Sequence, residues 1–108
     1  MKRSELRKSI VRPLIQSIIE TTAARRGVDW RDLMSQNRES PAIADARVLA
    51  MAVCGAAGVP IRMIGKVFNR HLGTVDSARR RVVALCHDCE QARDEFIAIL
   101  VTCIQPKE

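Results

Sequence analysis

Two cysteines near the C-terminal end have the spacing of a metal-binding or redox pair. In Cys86-His-Asp-Cys89, the thiols are separated by two residues, which allows both to ligate one zinc ion. Structural zinc needs four ligands, and no second pair stands at a matching spacing. His87 has no serine or cysteine arranged beside it as a nucleophile. Because both cysteines continue an apolar helical stripe, we expect core thiols, with no metal, no cofactor and no enzymatic activity.

Three consecutive arginines, residues 79–81, form the longest cationic run in the chain. They fall in a segment whose apolar residues recur at the helical period. This pattern predicts a helix with the arginines fanned over its outer surface. The predicted inward residues are Val75, Ala78, Val82, Leu85 and Cys89. The outer face is then either a solvated helix surface or a surface that binds a polyanion.

DNA binding would give each outward side chain of this helix a role. A recognition helix presents its first turns to the major groove, where short polar side chains meet base edges and longer cations reach phosphates. Ser77 and Arg80 are then the expected base contacts, and Arg79 and Arg81 the expected phosphate contacts. Asp76 suits the positive end of the helix dipole and can accept a hydrogen bond from a cytosine amino group.

The first half of the chain is predicted to be helical as well. Apolar residues at three- and four-residue intervals indicate a helix over about residues 12–26, with Pro13 in its first turn and Gly27 as its stop. Asp29 is the expected N-cap of a short helix that ends near Gln36.

A central helix and a helix-turn-helix are predicted in the second half. Pro41 opens a helix capped by Ser40, and its alanine-rich stripe ends at Gly58. A two-turn amphipathic helix then precedes a connection at residues 69–73. Thr74 is expected as the N-cap of the helix that carries the arginines.

Charge is divided unevenly along the chain. Residues 1–86 carry sixteen Lys or Arg and seven Asp or Glu, a balance of +9, whereas residues 87–108 carry two and five, a balance of −3. With 108 residues, 47% of them apolar and 3% aromatic, a single all-α domain with an aliphatic core is expected over residues 1–108. The basic body favours a polyanionic partner, nucleic acid before an anionic membrane surface.

Four segments carry a family resemblance. They are Val28-Asp-Trp-Arg-Asp-Leu-Met-Ser35, Arg47-Val-Leu-Ala-Met51, Ile64-Gly65 with Phe68, and Arg70-His-Leu-Gly-Thr-Val-Asp-Ser-Ala-Arg-Arg80. In this order they resemble the C-terminal DNA-binding domain of the bacterial chromosome-replication initiator DnaA. The last segment is similar to the family signature Arg-Asp-His-Thr-Thr-Val-x-x-Ala-x-Arg.

The resemblance implies a compact domain of about six helices, related to the Trp repressor, that binds double-stranded DNA through a helix-turn-helix. It implies Arg38 as a minor-groove contact, Arg47 as a backbone contact, and Arg70 and Thr74 as contacts near the start of the recognition helix. Together with the helix face, the predicted DNA-contacting residues are Arg38, Arg47, Lys66, Arg70, His71, Leu72, Gly73, Thr74, Asp76, Ser77, Arg79, Arg80 and Arg81.

The chain departs from the family at the positions that contact bases. His71-Leu-Gly73 replaces Asp-His-Thr, and the loop after Phe68 is one residue shorter. A target other than the family's usual box is therefore expected, in which Leu72 contacts a thymine methyl and His71 contacts a phosphate or a base acceptor.

No ATPase domain is expected in this chain. Its nearest approach to a phosphate-binding loop, Gly65-Lys66, is followed by Val67, and Pro60 stands where such a loop needs glycine. The predicted function is therefore regulation of transcription or replication by occupying a DNA site.

Two terminal segments have two interpretations each. Residues 96–101 are apolar nearly all round, so the C-terminal helix and tail, residues 91–108, either insert into the core or form a homodimer contact. The basic residues 1–11 are either an arm that contacts DNA or a solvated first turn. The competing function is a protein-interaction module that docks a partner, or a second copy, through the C-terminal helix.

Sequence features also predict where the protein resides. No segment has the 18 consecutive apolar residues typical of a membrane span. The N-terminus lacks the apolar region and the cleavage site of a secretory signal. We therefore expect a cytoplasmic, nucleoid-associated protein with no membrane partner.

Overall fold

The chain folds into helices only, in a computed structural model that describes the backbone of residues 3–35 and 40–104 and the side chains of residues 11–35 and 40–104. In chain order they are α1 (Arg3–Arg26), a 3₁₀-helix (Trp30–Met34), α2 (Pro41–Ala56), α3 (Ile61–Phe68), α4 (Leu72–Asp88) and α5 (Glu90–Ile104). No strand occurs in these two stretches, so the predicted all-α class is confirmed.

The central helix is α2, which packs against all the other helices. Its start matches the prediction, because the Ser40 hydroxyl accepts a hydrogen bond from the Ile43 amide at 3.4 Å and Pro41 occupies the first turn. Small side chains let neighbouring backbones approach closely, so most of the helix circumference is buried. Its buried apolar residues are Ala46, Leu49, Ala50, Met51, Ala52, Val53 and Cys54.

The rest of the core comes from one apolar stripe on each neighbouring element. Each buried aliphatic or aromatic side chain contributes about 1.5 to 3 kcal/mol through removal of apolar surface from water. The residues involved are Ile15, Ile18 and Ile19 of α1, Leu33 of the 3₁₀-helix, Ile64 and Phe68 of α3, Val75, Ala78 and Val82 of α4, and Ile99 of α5.

The first helix is longer than the sequence predicts. It begins at Arg3 rather than near residue 12, so residues 3–11 are helical and Pro13 lies inside α1. Proline removes one backbone hydrogen bond, which normally marks a helix boundary. Here the ring of Pro13 is exposed, and Val11, two residues before it, is partly buried against the core. Packing of α1 therefore outweighs the local boundary signal.

Three helices end in the same hydrogen-bonded turn, in which one residue has a positive φ and the next amide donates to the carbonyl five positions earlier. The positive-φ residues are Gly27 after α1, Gly58 after α2 and Asn69 after α3, at 67°, 93° and 54°. The stops predicted at the two glycines are confirmed. The amide-to-carbonyl distances are 3.0 Å for Val28 to Ala23, 3.1 Å for Val59 to Cys54 and 2.8 Å for Arg70 to Gly65.

The last helix, α5, divides its apolar residues between the core and the surface. Ile99 is fully buried, whereas Ile97, Val101 and Ile104 are 42 to 51% exposed. Core insertion is therefore confirmed for one stripe of the helix only. A bidentate ion pair with α1 fixes the helix, since Arg26 donates to both carboxylate oxygens of Glu95 at 2.8 and 2.9 Å. None of the described helices is long and apolar enough to cross a bilayer.

Candidate nucleic-acid interface

A three-residue turn, residues 69–71, joins α3 to α4. The sequence predicted Thr74 as the N-cap of α4, but Thr74 does not cap this helix. The N-cap is His71, which is extended and whose carbonyl accepts a hydrogen bond from the Val75 amide at 3.1 Å. Asn69 adopts the left-handed conformation, which ends α3 and allows the chain to re-enter a helix almost at once. Leu72, Gly73 and Thr74 therefore form the first turn of α4 instead of part of the connection.

Gly65 lets this turn fold back closely onto α3. The Arg70 amide donates to the Gly65 carbonyl at 2.8 Å, and a Cβ placed on Gly65 would lie 2.8 Å from the Arg70 carbonyl oxygen. That separation is shorter than real Cβ contacts allow, and the obstacle is backbone rather than a flexible side chain. Glycine at position 65 is thus required by the path of the turn.

Replacing Gly65 with alanine is expected to lower the free energy of unfolding by about 1 to 2 kcal/mol, because overpacking outweighs alanine's better helix propensity. Urea unfolding followed by circular dichroism at 222 nm measures the change. Gly73→Ala is the matched control, since a Cβ there meets nothing within 4 Å, and in the first turn of α4 it should raise stability by less than about 1 kcal/mol. Equal effects of the two substitutions would contradict this account of the turn.

The inner face of α4 follows the prediction over its first half only. Val75, Ala78 and Val82 are buried, but Leu85 is 54% exposed. The inward stripe continues through the half-buried Cys86 instead, because the helical period of 3.6 residues carries the inward direction from position 82 to 86. The helix ends at Asp88, and Cys89 is extended, so Cys89 does not continue the stripe.

The outer face of α4 exposes every predicted base or phosphate contact except Asp76, which is half-buried. Arg80 forms an ion pair with Asp76 at 3.1 Å, and their side chains are 81% and 44% exposed. Such a pair contributes little stability in water and is readily exchanged for another anion. It does, however, hold the Arg80 guanidinium over the second turn of the helix.

Two further arginines, Arg79 and Arg81, flank this face on the sides that approach α2. The Arg79 side chain crosses α2 at Gly55, where a Cβ would come within 2.7 Å of the Arg79 Nε. Arg81 lines a cleft between α2, α4 and α5. Within the described stretches, neither Arg79 nor Arg81 has a carboxylate oxygen within 4 Å.

Arg47 occupies the interior, whereas the family resemblance implied a contact with the DNA backbone, which stays a prediction. It is 5% exposed. Its Nε donates to the Leu33 carbonyl at 2.6 Å, and one terminal nitrogen donates to the carbonyls of Asp32 and Ser35 at 2.9 and 3.2 Å. A guanidinium presents several donors in a fixed plane, which suits the unpaired carbonyls at a helix end. Arg47 thus fastens the 3₁₀-helix to α2.

Arg70 has a comparable role in the turn. Its guanidinium donates to the carbonyls of Phe68 and Asn69 at 3.0 and 3.2 Å, and to the Ser35 carbonyl at 2.9 Å. The Ser35 carbonyl therefore accepts from both Arg47 and Arg70. The sequence analysis did not predict that Arg47 and Arg70 share the Ser35 carbonyl as an acceptor. One signal was present, because Arg47 is the lone cation in the mainly apolar helix α2.

Two further predicted contacts, Lys66 and His71, lie on the surface before the start of α4. Lys66 and His71 are exposed, and Lys66 borders a groove of about 330 Å³ with Arg12 and Gln16. Arg38 lies outside the described residues, so its predicted minor-groove contact stays a prediction.

The four cysteines are free thiols. Burial raises the pKa of Cys54 to about 12, with a smaller contribution from Cys103. Burial also raises the pKa of Cys86, and the smaller effect of the Arg93 charge lowers it. In the described part of the chain, no three His, Cys, Asp or Glu side chains lie close enough together to hold a metal ion.

No protein-family model matches the chain, and no curated protein matches it in sequence. The class that the fold defines is an all-α domain in which a three-residue turn joins two helices.

Proposed function

We propose that this protein binds double-stranded DNA, with the first turns of α4 in the major groove and the α4 arginines on the flanking phosphates. The observation that carries the proposal is the division of α4 into two faces. Val75, Ala78 and Val82 anchor it in the core, while residues 79–81 expose three guanidinium groups. A helix held by one face and cationic on the other can meet a groove bordered by phosphates.

Electrostatics supports the same partner. Residues 1–86 carry a balance of +9, and a basic surface releases condensed counterions when it neutralises phosphates. Arg79 and Arg81 lack a carboxylate partner among the described residues, so binding a phosphate would not require breaking an internal ion pair. Site occupancy then regulates transcription or replication without ATP hydrolysis.

A rigid support behind α4 also favours this function. Arg47 and Arg70 join the 3₁₀-helix, α2 and the turn before α4 through the Ser35 carbonyl. A recognition helix needs such support because base contacts tolerate little misplacement. In this proposal both arginines position the interface, and the α4 arginines make the contacts.

Fluorescence anisotropy with labelled duplexes, over a range of salt concentrations, tests the proposal. Affinity is expected to fall with salt at a logarithmic slope of about −3 or steeper, because each phosphate contact contributes roughly −0.9. An RNA duplex of the same sequence is the control, since its deep and narrow major groove does not admit a helix. Failure to bind any DNA duplex at low salt would remove the proposal.

A second candidate function, self-association through α5, rests on one observation. The exposed large apolar residues of α5 stand at intervals of four and three, a spacing that a short coiled-coil contact can use. They are Ile97, Val101 and Ile104. Sedimentation equilibrium at micromolar concentration distinguishes a dimer from a monomer, and a dimer would also supply two DNA-binding helices for two half-sites.

A further inference from the structure

We propose that Cys86 and Cys89 form a reversible intramolecular disulfide that joins the end of α4 to the start of α5. The oxidant is a low-molecular-weight disulfide of the glutathione type. This inference does not depend on DNA binding. It rests on the backbone geometry of the junction between the two helices, on the interaction between the two thiols and on an open groove beside Cys86.

The junction between α4 and α5 places the two cysteines at a separation that a disulfide can span. The Cys89 amide donates to the Leu85 carbonyl at 2.8 Å, so the backbone follows the helix as far as the Cys89 nitrogen. Helical geometry then sets the Cα atoms of Cys86 and Cys89 about 5 Å apart. Disulfides need a Cα separation of roughly 4.4 to 6.8 Å. The bond can therefore form without moving either helix.

Cys89 itself leaves the helix, which frees its side chain from the helical direction. Its φ and ψ are −132° and 113°, and its carbonyl accepts a hydrogen bond from the Arg93 amide at 3.1 Å. In a continuous helix, the Cβ bonds of both cysteines would be fixed by the helical backbone. Here only Cys86 has that constraint, so small rotations at one non-helical residue can bring the sulfur atoms together.

The two thiols also interact through their charges. Burial is the main cause of the raised pKa of Cys86, Arg93 lowers this pKa, and Cys89 raises it further. An effect of Cys89 on Cys86 requires that the two sulfur atoms lie near each other. Arg93 favours the Cys86 thiolate, which is the form that attacks a disulfide.

A small oxidant can reach Cys86 from solvent. A groove of about 230 Å³ lies between α4 and α5, and its walls are formed by Val83, Cys86, His87, Arg93 and Phe96. By contrast, Cys54 is fully buried and its pKa is raised to about 12, so that thiol stays protonated and enclosed. Reaction is therefore expected at the junction of α4 and α5 and not in the core.

The chemistry consists of two thiol–disulfide exchanges. One cysteine thiolate attacks a sulfur of oxidised glutathione, which forms a mixed disulfide and releases one glutathione thiolate. The other cysteine thiolate attacks the protein sulfur of that mixed disulfide, forms the bond between Cys86 and Cys89 and releases the second glutathione. The two cysteines lose two electrons and the oxidant gains them. The two thiol protons pass to the released glutathione thiolates.

Mass spectrometry of the full chain tests the proposal. The protein is incubated with oxidised glutathione, alkylated under denaturing conditions and digested with trypsin. Both cysteines lie on one tryptic peptide, residues 82–93. We expect this peptide to lose two hydrogens and to escape alkylation, whereas the peptides that contain Cys54 and Cys103 are alkylated. Dithiothreitol should restore alkylation of residues 82–93.

Single substitutions test the pairing. Cys86→Ser and Cys89→Ser should each stop the reaction at the mixed disulfide, with one glutathione retained on the remaining cysteine. Cys103→Ser, at a half-buried cysteine elsewhere on α5, is the matched control and should keep the disulfide. Circular dichroism checks that each variant is folded. The proposal is overturned if the wild-type peptide stays unreacted, keeps a glutathione adduct, or pairs with another cysteine or a second chain.

Discussion

Replacement of Arg47 by alanine is expected to lower the free energy of unfolding by about 3 kcal/mol, the order found when one member of a buried polar network is removed. The substitution leaves the Leu33 carbonyl without its 2.6 Å donor and removes the hydrogen bonds to Asp32 and Ser35. It also leaves a cavity in the interior, because the Arg47 side chain is only 5% exposed. Both effects act on the junction between α2 and the 3₁₀-helix.

Urea unfolding by circular dichroism measures this decrease in stability. Arg62→Ala is the matched control, because Arg62 is an exposed arginine on α3, and its removal should change stability by less than about 0.5 kcal/mol. Arg47→Lys should recover little, since an ammonium is a compact group that cannot span three separated carbonyls. A change below about 1 kcal/mol for Arg47→Ala, similar to the control, would show that these hydrogen bonds do not hold the junction.

The same variants distinguish a positioning role from a direct DNA contact. If Arg47 contacts the DNA backbone, Arg47→Ala should leave the free energy of unfolding unchanged and make the salt dependence of DNA binding shallower by about one unit. If Arg47 positions the interface instead, Arg47→Ala should lower the free energy of unfolding. The molecules that remain folded should then bind DNA with an unchanged salt slope. Measuring both properties on one preparation decides between the surface role implied by the family resemblance and the interior role that the hydrogen bonds of Arg47 indicate.

Neutralising the α4 arginines together, as Arg79→Gln, Arg80→Gln and Arg81→Gln, is expected to reduce affinity for duplex DNA on the order of a hundredfold or more near 0.1 M salt. Removal of each phosphate interaction should make the salt slope shallower by about 0.9. The Arg79 atoms nearest Gly55 are Nε, Cδ and Cζ, so glutamine replaces the end of this contact. Glutamine suits a helix, and the fold should therefore keep its helical circular dichroism spectrum.

Net charge needs its own control in this experiment. The triple variant Arg25→Gln, Arg31→Gln and Arg93→Gln removes the same charge from exposed residues of α1, the 3₁₀-helix and α5. If location matters, this variant should weaken binding by less than about tenfold. Equal reductions in the two triple variants would mean that affinity follows total charge, and would contradict the proposal that α4 forms the interface.

Local signals made several elements predictable from sequence alone. Asp29 and Ser40 each cap a helix as expected, with side-chain oxygens that accept amide hydrogen bonds. Gly27 and Gly58 end helices because left-handed backbone is nearly free for glycine. Caps and stops depend on a few neighbouring residues, so they can be recognised without knowledge of the fold.

Features that depend on distant contacts could not be predicted in the same way. Pro13 marks a helix start locally, but α1 begins at Arg3, before the proline, and Val11 packs against the core. Thr74 is a good cap by type, yet the left-handed Asn69 moves the start of α4 to Leu72. Arg47 is an ordinary basic residue until the carbonyls of the 3₁₀-helix are placed around it. In each case, tertiary packing outweighs a local preference.

The carbonyl of Ser35 has a consequence for how the protein opens. It accepts hydrogen bonds from one arginine on α2 and from another in the turn before α4. A short 3₁₀-helix alone would be expected to fray independently of its neighbours. Because the two arginines meet on one acceptor, the 3₁₀-helix and the turn should instead exchange their amide hydrogens as one cooperative unit. Opening of that unit would release the start of α4, so the lifetime of the turn between α3 and α4 should follow that of the 3₁₀-helix, which lies outside both of these helices.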